Sequence, residues 1–313
     1  IQIRLVGSEM CIRDREKSEP YLLHIITKKG AGFEPAENER IKFHAISKIE
    51  TNRSKPQTKF QDVFGEWLCD KAEVEKKLVA ITPAMKEGSG MVNFEKKYPE
   101  RFYDVAIAEQ HAVTFGAGLA LGGMKPVVAI YSTFLQRAYD QLIHDVCLEN
   151  IDVTFALDRA GIVGEDGPTH SGSFDVSFMR CIPNLVIAIP SDENETRVLL
   201  NTCFEYSGPA AVRYPRGSGC GALVKKEFSV VEIGKGKKIR DGEDVCILNF
   251  GVLIDRALQI ANENNYGLCD MRFVKPLDEQ LINEICSKYS KIVTLEDHTC
   301  LLYTSDAADD TSG

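Results

Sequence analysis

Short apolar runs alternate with longer amphipathic segments along most of the chain. The pattern predicts buried strands at residues 78–82, 103–107, 126–130, 153–157, 185–189 and 210–213. A segment of small and apolar residues at 109–121 is predicted to be a helix that packs on the sheet, and Ser191 is predicted to cap another helix. Such alternation is typical of a mostly parallel α/β sheet.

A second and smaller α/β unit is predicted after residue 221. Strands are expected at 245–250, 268–271 and 292–295, with helices at 253–262 and 277–287 between them. The pattern stops before this unit is complete. Near the other end of the chain, residues 21–27 are predicted to form a buried strand that leads into a turn at 28–33.

Composition and charge exclude several classes of protein. The 313 residues include 46 acidic and 37 basic side chains, which give a net charge of −9 and make nucleic acid an improbable partner. No apolar run approaches the roughly 18 residues of a membrane-spanning helix. The ten cysteines lack close pairs and zinc-finger spacing, so we expect no structural zinc and a cytoplasmic protein with reduced thiols.

The first candidate for chemistry is Glu109, which follows the apolar run at 103–107. A polar side chain at the carboxyl end of a strand faces the ligand crevice of an open α/β sheet. Burial among Val105, Ala106 and Ile107 would favour the protonated carboxyl and suit a role in sharing a proton. Alternatively, Glu109 only begins a helix.

The second candidate is the glycine-rich segment 158–172, DRAGIVGEDGPTHSG, which follows another strand. Its glycines would let the backbone approach a ligand closely. It offers a guanidinium, a carboxylate and an imidazole at Arg159, Asp166 and His170. The alternative is a surface loop with incidental charges.

Two further groups follow neighbouring strands. Arg213 and Arg216 place two guanidinium groups at a strand end. A guanidinium can bind a phosphate through two parallel hydrogen bonds, although these two could equally form surface salt bridges. Tyr131 and Phe134, with Arg137, could hold a planar ring, whereas aromatic side chains at this spacing are by default part of a core.

Several stretches resemble the 1-deoxy-D-xylulose-5-phosphate synthases, a thiamine-diphosphate family of the transketolase superfamily. The match extends from about residue 21 to residue 299 and includes HIITKKGAGF, ITPAMKEGSGM, DVAIAEQHAVTFGAGLA, AIYSTFLQRAYDQ, DRAGIVGEDGPTHSG, PSDENE, AVRYPRG and DMRFVKPLDE. The block STFLQRAYDQ together with DRAGIVG distinguishes this family from transketolase proper. The resemblance implies a thiamin-diphosphate-binding fold, with a parallel-sheet pyrimidine-binding domain followed by an incomplete transketolase C-terminal α/β domain.

The resemblance also implies roles for individual residues. Glu109 would hydrogen-bond N1′ of the aminopyrimidine and promote the tautomer that deprotonates the thiazolium. Tyr131, Phe134 and Arg137 would surround the pyrimidine and the acceptor site, and Phe33 would stand where the family is expected to have a cofactor-contacting tyrosine.

The substrate side of the site follows from the same resemblance. Arg159 and Arg216 would bind the acceptor's phosphate, with Tyr131 near the substrate. Asp166 and His170 would orient substrate and relay protons, and His44 would reach the site from the linker. The implied reaction condenses pyruvate with glyceraldehyde 3-phosphate and releases CO2, giving 1-deoxy-D-xylulose 5-phosphate for isoprenoid, thiamine and pyridoxal biosynthesis.

The expected domain organisation departs from that of the whole family. We expect a non-native leader at 1–15, the end of the diphosphate domain and a linker at 16–59, the pyrimidine-binding domain at 60–221, a truncated C-terminal domain at 222–300 and a non-native tail at 301–313. The magnesium ligands would belong to a missing first domain, leaving no metal ligands here.

The resemblance and this organisation lead to two expectations and leave two alternatives. The chain alone would be inactive, and the full-length protein would be a homodimer. One rival family is the beta subunit of a 2-oxo-acid dehydrogenase, which borrows its diphosphate domain from another chain. The non-enzymatic alternative is an inert truncated product.

Overall fold

The computed structural model describes residues 26–28, 30–39, 43 and 57–298, which fall into two units that divide after residue 56. In the first unit, a turn at residues 30–32 leads into helix α1, Glu34–Asn38. Ile26 is 86% exposed and lies outside any strand, so the strand predicted at 21–27 is wrong at Ile26 and Thr27, because no ladder pairs with these two residues. Residues 21–25 lie outside the described part of the chain.

The second unit contains a seven-stranded sheet in the order β10-β5-β6-β4-β3-β1-β2. Its strands are β1 Leu78–Thr82, β2 Phe102–Asp104, β3 Lys125–Tyr131, β4 Thr154–Ala160, β5 Val186–Ala188, β6 Ala210–Pro215 and β10 Phe273–Lys275. All neighbouring pairs are parallel except β10 with β5. Every residue of β1 and β4 is buried, as expected for strands covered by helices on both faces.

Helices cover both faces of this sheet. They are α2 Phe60–Val74, α3 Val92–Lys97, α4 Glu109–Leu121, α5 Ser132–Leu135, α6 Tyr139–Gln141, α7 Asp175–Arg180 and α8 Glu193–Glu205, with 3-10 turns at Pro99–Arg101, Gln136–Ala138, Gly164–Asp166 and Pro168–His170 and a π-helical turn at Leu142–Cys147. One core forms around Trp67 and Phe64, and the other contains Leu142 and Phe155. No helix in the described residues is long and apolar enough to cross a membrane.

A second sheet of four strands has the order β11-β8-β9-β7. It is built from β7 Lys237–Arg240, β8 Val245–Phe250, β9 Gly267–Asp270 and β11 Lys291–Glu296, with helices α9 Ile254–Asn264 and α10 Glu279–Lys288. The predicted mostly parallel α/β architecture is therefore confirmed, with β7 as the antiparallel edge. The sequence analysis did not predict β10, nor β7, whose side chains are exposed or half-buried and form no apolar run.

Strand β10 joins the two sheets. It lies beyond β9 in the chain, yet Phe273 pairs with Ala188 at the edge of the first sheet. The larger apolar core continues from Ile189, which follows β5, to Leu248 on β8 and to Met271, which follows β9. Burial of this continuous surface therefore holds the two sheets together.

Two local predictions were wrong. The strand expected at 103–107 ends at Asp104, because its carboxylate accepts hydrogen bonds from the N–H groups of Ala84 and Ala106 (3.0 and 2.9 Å) and Ala106 takes a φ of +58°. Helix α8 is capped by Asp192, which accepts a hydrogen bond from the N–H of Glu195 at 2.7 Å. Ser191 instead donates to Asp270, at 2.6 Å.

The hydrogen bond between Ser191 and Asp270 lies between the two sheets. Burial raises the pKa of Asp270 to about 6, while the hydrogen bond from Ser191 opposes that shift. The folded state therefore binds a proton on Asp270 at pH values where the unfolded chain has lost it.

Replacing this residue, Asp270→Asn, should make stability less dependent on pH. The protonated carboxyl stabilises the fold below about pH 4, and that contribution is lost as the pH rises through 6. Asparagine can still accept a hydrogen bond from the hydroxyl of Ser191, and it does not ionise. Between pH 4 and pH 7.5 the variant should gain about 2 kcal/mol in free energy of unfolding relative to the unsubstituted chain, measured by urea titration. A difference that stays constant over this range would contradict the assignment.

Candidate active site

The carboxyl ends of β3, β4 and β6 lie side by side, because these strands are parallel neighbours. Ligands of open α/β sheets bind at this edge. The sheet and the loops that follow its strands bring together most of the predicted residues, namely Glu109, Tyr131, Phe134, Arg137, Arg159, Asp166, His170 and Arg216. The structure thus brings together side chains that the sequence analysis named in separate segments.

Glu109 is both the first residue of helix α4 and a buried carboxylate. Its side chain is 2% exposed, and Oε1 accepts a hydrogen bond from Nη1 of Arg137 at 2.7 Å. The predicted cause of this burial is wrong, since Ile107 is 74% exposed. The carboxylate is instead covered where α4 packs against the helical turn that carries Arg137. A buried carboxylate held by one half-exposed guanidinium is available to a ligand on its other side.

Aromatic rings form a wall beside this carboxylate. Tyr131 and Phe134 are nearly parallel, with ring centroids 5.8 Å apart and an angle of 14°. His170 meets Phe134 edge to face at 5.3 Å, and the Arg137 guanidinium lies 5.0 Å from the centre of the Phe134 ring. Such a wall offers stacking and a titratable imidazole to a planar heterocycle.

Arg159 is fixed in an uncommon backbone conformation. Its φ is +59°, and Asp158 accepts both its N–H, at 2.6 Å, and its Nη1. Nη1 also donates to the carbonyl of Gly88 at 2.8 Å, and the guanidinium stacks 4.1 Å from the ring centre of Tyr131. Sequence analysis missed the partner, Asp158, whose pKa burial raises to about 6 against the opposing charge of Arg159.

Asp166 holds two guanidinium groups together. Its Oδ2 lies 2.8 Å from Nε of Arg216 and 3.6 Å from Nε of Arg159. The buried Nε of Arg159 makes no hydrogen bond. Two cations that converge on one carboxylate form a site for an anion with several oxygens, such as a phosphate.

The loop that carries Arg216 is fixed by a buried carboxylate that sequence analysis missed. Glu193 accepts hydrogen bonds from the backbone N–H groups of Gly219, Gly221 and Ala222, at 2.8, 3.1 and 3.1 Å. These bonds hold the loop after β6 in one conformation. The position of Glu193 in the first turn of α8 was visible in the sequence, but its distant partners were not.

Arg213 does not belong to the anion site, so the expectation of two phosphate forks at this strand end is wrong for it. The side chain is 1% exposed, and Nε donates to both carboxylate oxygens of Asp175 at 2.8 Å. Nη1 donates to Asp297 at 2.6 Å. Strand alternation places Arg213 inside the structure, and its charge is satisfied there.

Gly88 is a further residue that sequence analysis missed. A Cβ at this position would lie 1.8 Å from the hydroxyl of Tyr131 and 3.4 Å from Nη2 of Arg159. The signal was the glycine-serine-glycine at 88–90 after β1, which permits close backbone approach. Burial raises the pKa of the Tyr131 phenol to about 12.

Two predicted residues are not among the described residues of the second unit. Phe33 belongs to the first unit, is 48% exposed and packs edge to face on Phe43 at 5.5 Å. His44 lies outside the described residues. Within 57–298 and the described parts of the first unit, no group of three or more His, Cys, Asp or Glu is arranged to hold a metal ion.

Comparison with known proteins identifies the fold and the family. The transketolase pyrimidine-binding domain matches residues 57–220, which is more than half of the chain. The chain belongs to the transketolase family. The C-terminal domain of the same family matches residues 234–301.

Among its relatives, this transketolase-family chain is similar to several synthases. It is 60% identical to the 1-deoxy-D-xylulose-5-phosphate synthase of Cellvibrio japonicus over 296 residues, 92% of this chain and 46% of that protein. It is 57% identical to the synthase of Saccharophagus degradans over 298 residues, 89% of this chain and 46% of that protein. The chain therefore spans less than half the length of the relatives that it matches.

Solved structures of transketolases share this fold. A split-gene transketolase, described as an inactive beta4 tetramer, has a TM-score of 0.70 at 26% identity and covers 77% of this chain and 80% of its own. The Pichia stipitis transketolase in complex with sedoheptulose-7-phosphate has a TM-score of 0.65 at 15% identity, covering 79% of this chain and 40% of its own. At 15% identity, the likeness shows the fold alone.

The close approach at Gly88 leads to a testable expectation. Gly88→Ala should lower the free energy of unfolding by about 1–3 kcal/mol, because the new methyl group collides with Tyr131. Tyr131→Phe removes the colliding hydroxyl, so the double variant should lose less than the sum of the single losses, measured by urea titration.

Gly118→Ala is the matched control. A Cβ at Gly118 meets nothing within 4 Å, on the exposed face of α4. This substitution should leave stability unchanged or raise it, because alanine favours a helix. If Gly88→Ala lowers the free energy of unfolding by the same amount with and without the Tyr131 hydroxyl, the contact is refuted.

Proposed function

We propose that the chain supplies the pyrimidine-binding and acceptor-phosphate side of a 1-deoxy-D-xylulose-5-phosphate synthase. The reaction condenses pyruvate with D-glyceraldehyde 3-phosphate and releases CO2. The observation that carries the proposal is the pair Arg159 and Arg216, which converge on the carboxylate of Asp166 beside Glu109 and the aromatic wall. The 60% identity to the Cellvibrio japonicus synthase supports it.

The described residues fit the pyrimidine of thiamine diphosphate. Glu109 offers a buried carboxylate to a ring nitrogen, and Phe134 offers a flat face beside it. Tyr131 and Arg137 would complete the contacts. When bound, the cofactor supplies a nucleophilic carbon and an electron sink for the decarboxylation. The ligands of magnesium would lie outside residues 57–298.

Three side chains of this chain would hold or transfer protons. Glu109 would hold the proton on N1′ of the aminopyrimidine, with Arg137 keeping its carboxylate in place. The phenol of Tyr131, whose pKa burial raises to about 12, stays protonated at neutral pH and would donate a hydrogen bond to substrate. The imidazole of His170, edge-on to Phe134, would carry a proton to or from the substrate.

Phosphate would bind by exchange with a carboxylate. Asp166 occupies the space between Arg159 and Arg216, and a phosphate that enters must share or replace its contacts. Arg216 is 32% exposed and can turn toward an incoming ligand, whereas Arg159 is 9% exposed and held by Asp158. Arg159 would therefore fix the position of the phosphate and Arg216 would close on it.

The wider context is part of the same proposal. The product would serve isoprenoid, thiamine and pyridoxal biosynthesis in the cytoplasm, and the active assembly would be a homodimer. The beta subunit of a 2-oxo-acid dehydrogenase stays a candidate, but the paired guanidinium groups favour an acceptor with a phosphate. An inert product is the remaining alternative.

The activity is tested in a hybrid enzyme. In the Cellvibrio japonicus synthase, the part that this chain matches would be replaced by this chain, and pyruvate with glyceraldehyde 3-phosphate would be assayed by mass spectrometry. Formation of 1-deoxy-D-xylulose 5-phosphate supports the proposal. A folded hybrid that binds thiamine diphosphate and gives no product would count against it.

In that hybrid, Arg216→Ala should weaken recognition of the phosphate alone. Charge-assisted hydrogen bonds typically contribute about 1.5–3 kcal/mol, so the KM for glyceraldehyde 3-phosphate should rise by roughly ten- to a hundredfold. The KM for pyruvate should stay nearly constant. Arg256→Ala removes an exposed guanidinium from α9 and should change neither value. If both KM values rise together, or if the KM for unphosphorylated glyceraldehyde rises as much as that for its phosphate ester, Arg216 only supports the fold.

Glu109→Ala should prevent activation of the cofactor. Loss of a general acid–base group costs about 10²–10⁴-fold, so exchange of the thiazolium C2 hydrogen for deuterium should slow by at least a hundredfold. Glu100→Ala, which removes an exposed carboxylate before β2, is the control and should exchange at the normal rate. Near-normal exchange in the Glu109 variant would show that this residue only begins helix α4.

A further inference from the structure

Arg213 is the centre of a buried charge cluster that the proposed reaction does not use. Its guanidinium donates to Asp175 on α7, to Asp297 after β11 and, from Nη2, to the carbonyl of Gly172 at 3.3 Å. Ser132 on α5 donates to the same Asp175, at 2.9 Å. Four segments of the chain, namely β6, α5, residues 172–175 and the stretch after β11, therefore meet in this cluster.

This cluster lies where the two ends of the loop that carries Asp166 and His170 come together, at a point called here the neck of the loop. Gly161 and Gly172 close the neck with two backbone hydrogen bonds, of 3.1 and 2.9 Å. The cluster contacts both sides of the neck, because Arg213 binds the carbonyl of Gly172 and a Cβ on Gly161 would lie 2.8 Å from Oδ2 of Asp297.

Asp297 brings the second sheet into this arrangement. It follows β11, the edge strand of that sheet, and its side chain is 19% exposed. Arg213 is 1% exposed and cannot turn to water if one of its carboxylates is lost. Losing Asp297 would therefore leave Nη1 unpaired and remove the contact beside Gly161.

We infer that Asp297 is a positioning residue through which the second sheet fixes the loop 161–172. It acts by holding Arg213, which holds Gly172, and by packing against Gly161. The inference rests on the proposed function only in the role given to Asp166 and His170, because the restraint on the loop exists without substrate. The second sheet thereby helps to order the loop 161–172 of the candidate active site.

Amide hydrogen exchange of the 313-residue chain, followed by mass spectrometry, tests the restraint directly. Asp297→Asn should accelerate exchange in peptides that cover 161–172 by about tenfold or more, since a charge-assisted hydrogen bond is lost. Peptides from β1 and β3 should keep their rates. Asp297→Glu, which restores the charge, should return the loop to within about threefold of the unsubstituted chain.

Glu195→Gln is the matched control. Arg272 and Glu195 form a bidentate ion pair, with two contacts of 2.9 Å, that also joins the region of β10 to the first sheet. Among the described residues, neither side chain hydrogen-bonds to residues 161–172. This variant should lower the melting temperature without changing exchange at 161–172. If Asp297→Asn does not fold, Asp297→Ser is measured in its place by the same criteria.

Three results would overturn the inference. They are unchanged loop exchange in the Asp297 variant, equal acceleration in the Glu195→Gln control, and acceleration spread evenly over the chain. In the hybrid enzyme, Asp297→Asn should also raise the KM for glyceraldehyde 3-phosphate several-fold at constant KM for pyruvate. The exchange experiment does not depend on turnover, so a hybrid without activity would count against the proposed function and leave the restraint supported.

Discussion

The arrangement of the site depends on the need of buried guanidinium groups for carboxylate partners. Arg159 and Arg213 lie on neighbouring parallel strands, and each is almost wholly buried. An unpaired charge in such a place would cost several kcal/mol, so the fold must bring a carboxylate to each one. Asp158, beside Arg159 on β4, and Asp175, at the start of α7, meet this need, and α7 cannot move without breaking its pair with Arg213.

The same pairing explains why the backbone around the site is so tightly constrained. Arg159 keeps a φ of +59° because Asp158 binds both its N–H and its side chain. A Cβ at Gly172 would lie 2.2 Å from the carbonyl of Arg159, and one at Gly88 would collide with Tyr131. Close backbone contact around a charged residue leaves little freedom to the side chains that face a ligand, which is the condition for preorganised binding.

Sequence patterns predicted the fold class well, because strands covered on both faces appear as continuous apolar runs. The clustering of Glu109, Arg159 and Asp166 was also predictable, since carboxyl ends of parallel strands meet at one edge. The role of Arg213 was not predictable, because its partner Asp297 lies 84 residues away. Strand β10 was missed for a related reason, since the strand with which it pairs, β5, is also distant in the sequence.

The two sheets share one apolar core, yet their polar contacts differ in kind. At β10, Arg272 binds Glu195 in a pair that is 13% and 11% exposed, and nearby Ser191 binds Asp270. At β11, Asp297 reaches Arg213 beside the neck of the loop. The apolar contact supplies most of the attraction, because it is the large non-directional term. The polar contacts have fixed geometry, so they set the position of one sheet against the other. Through Asp297 they also fix the position of the loop that carries Asp166 and His170.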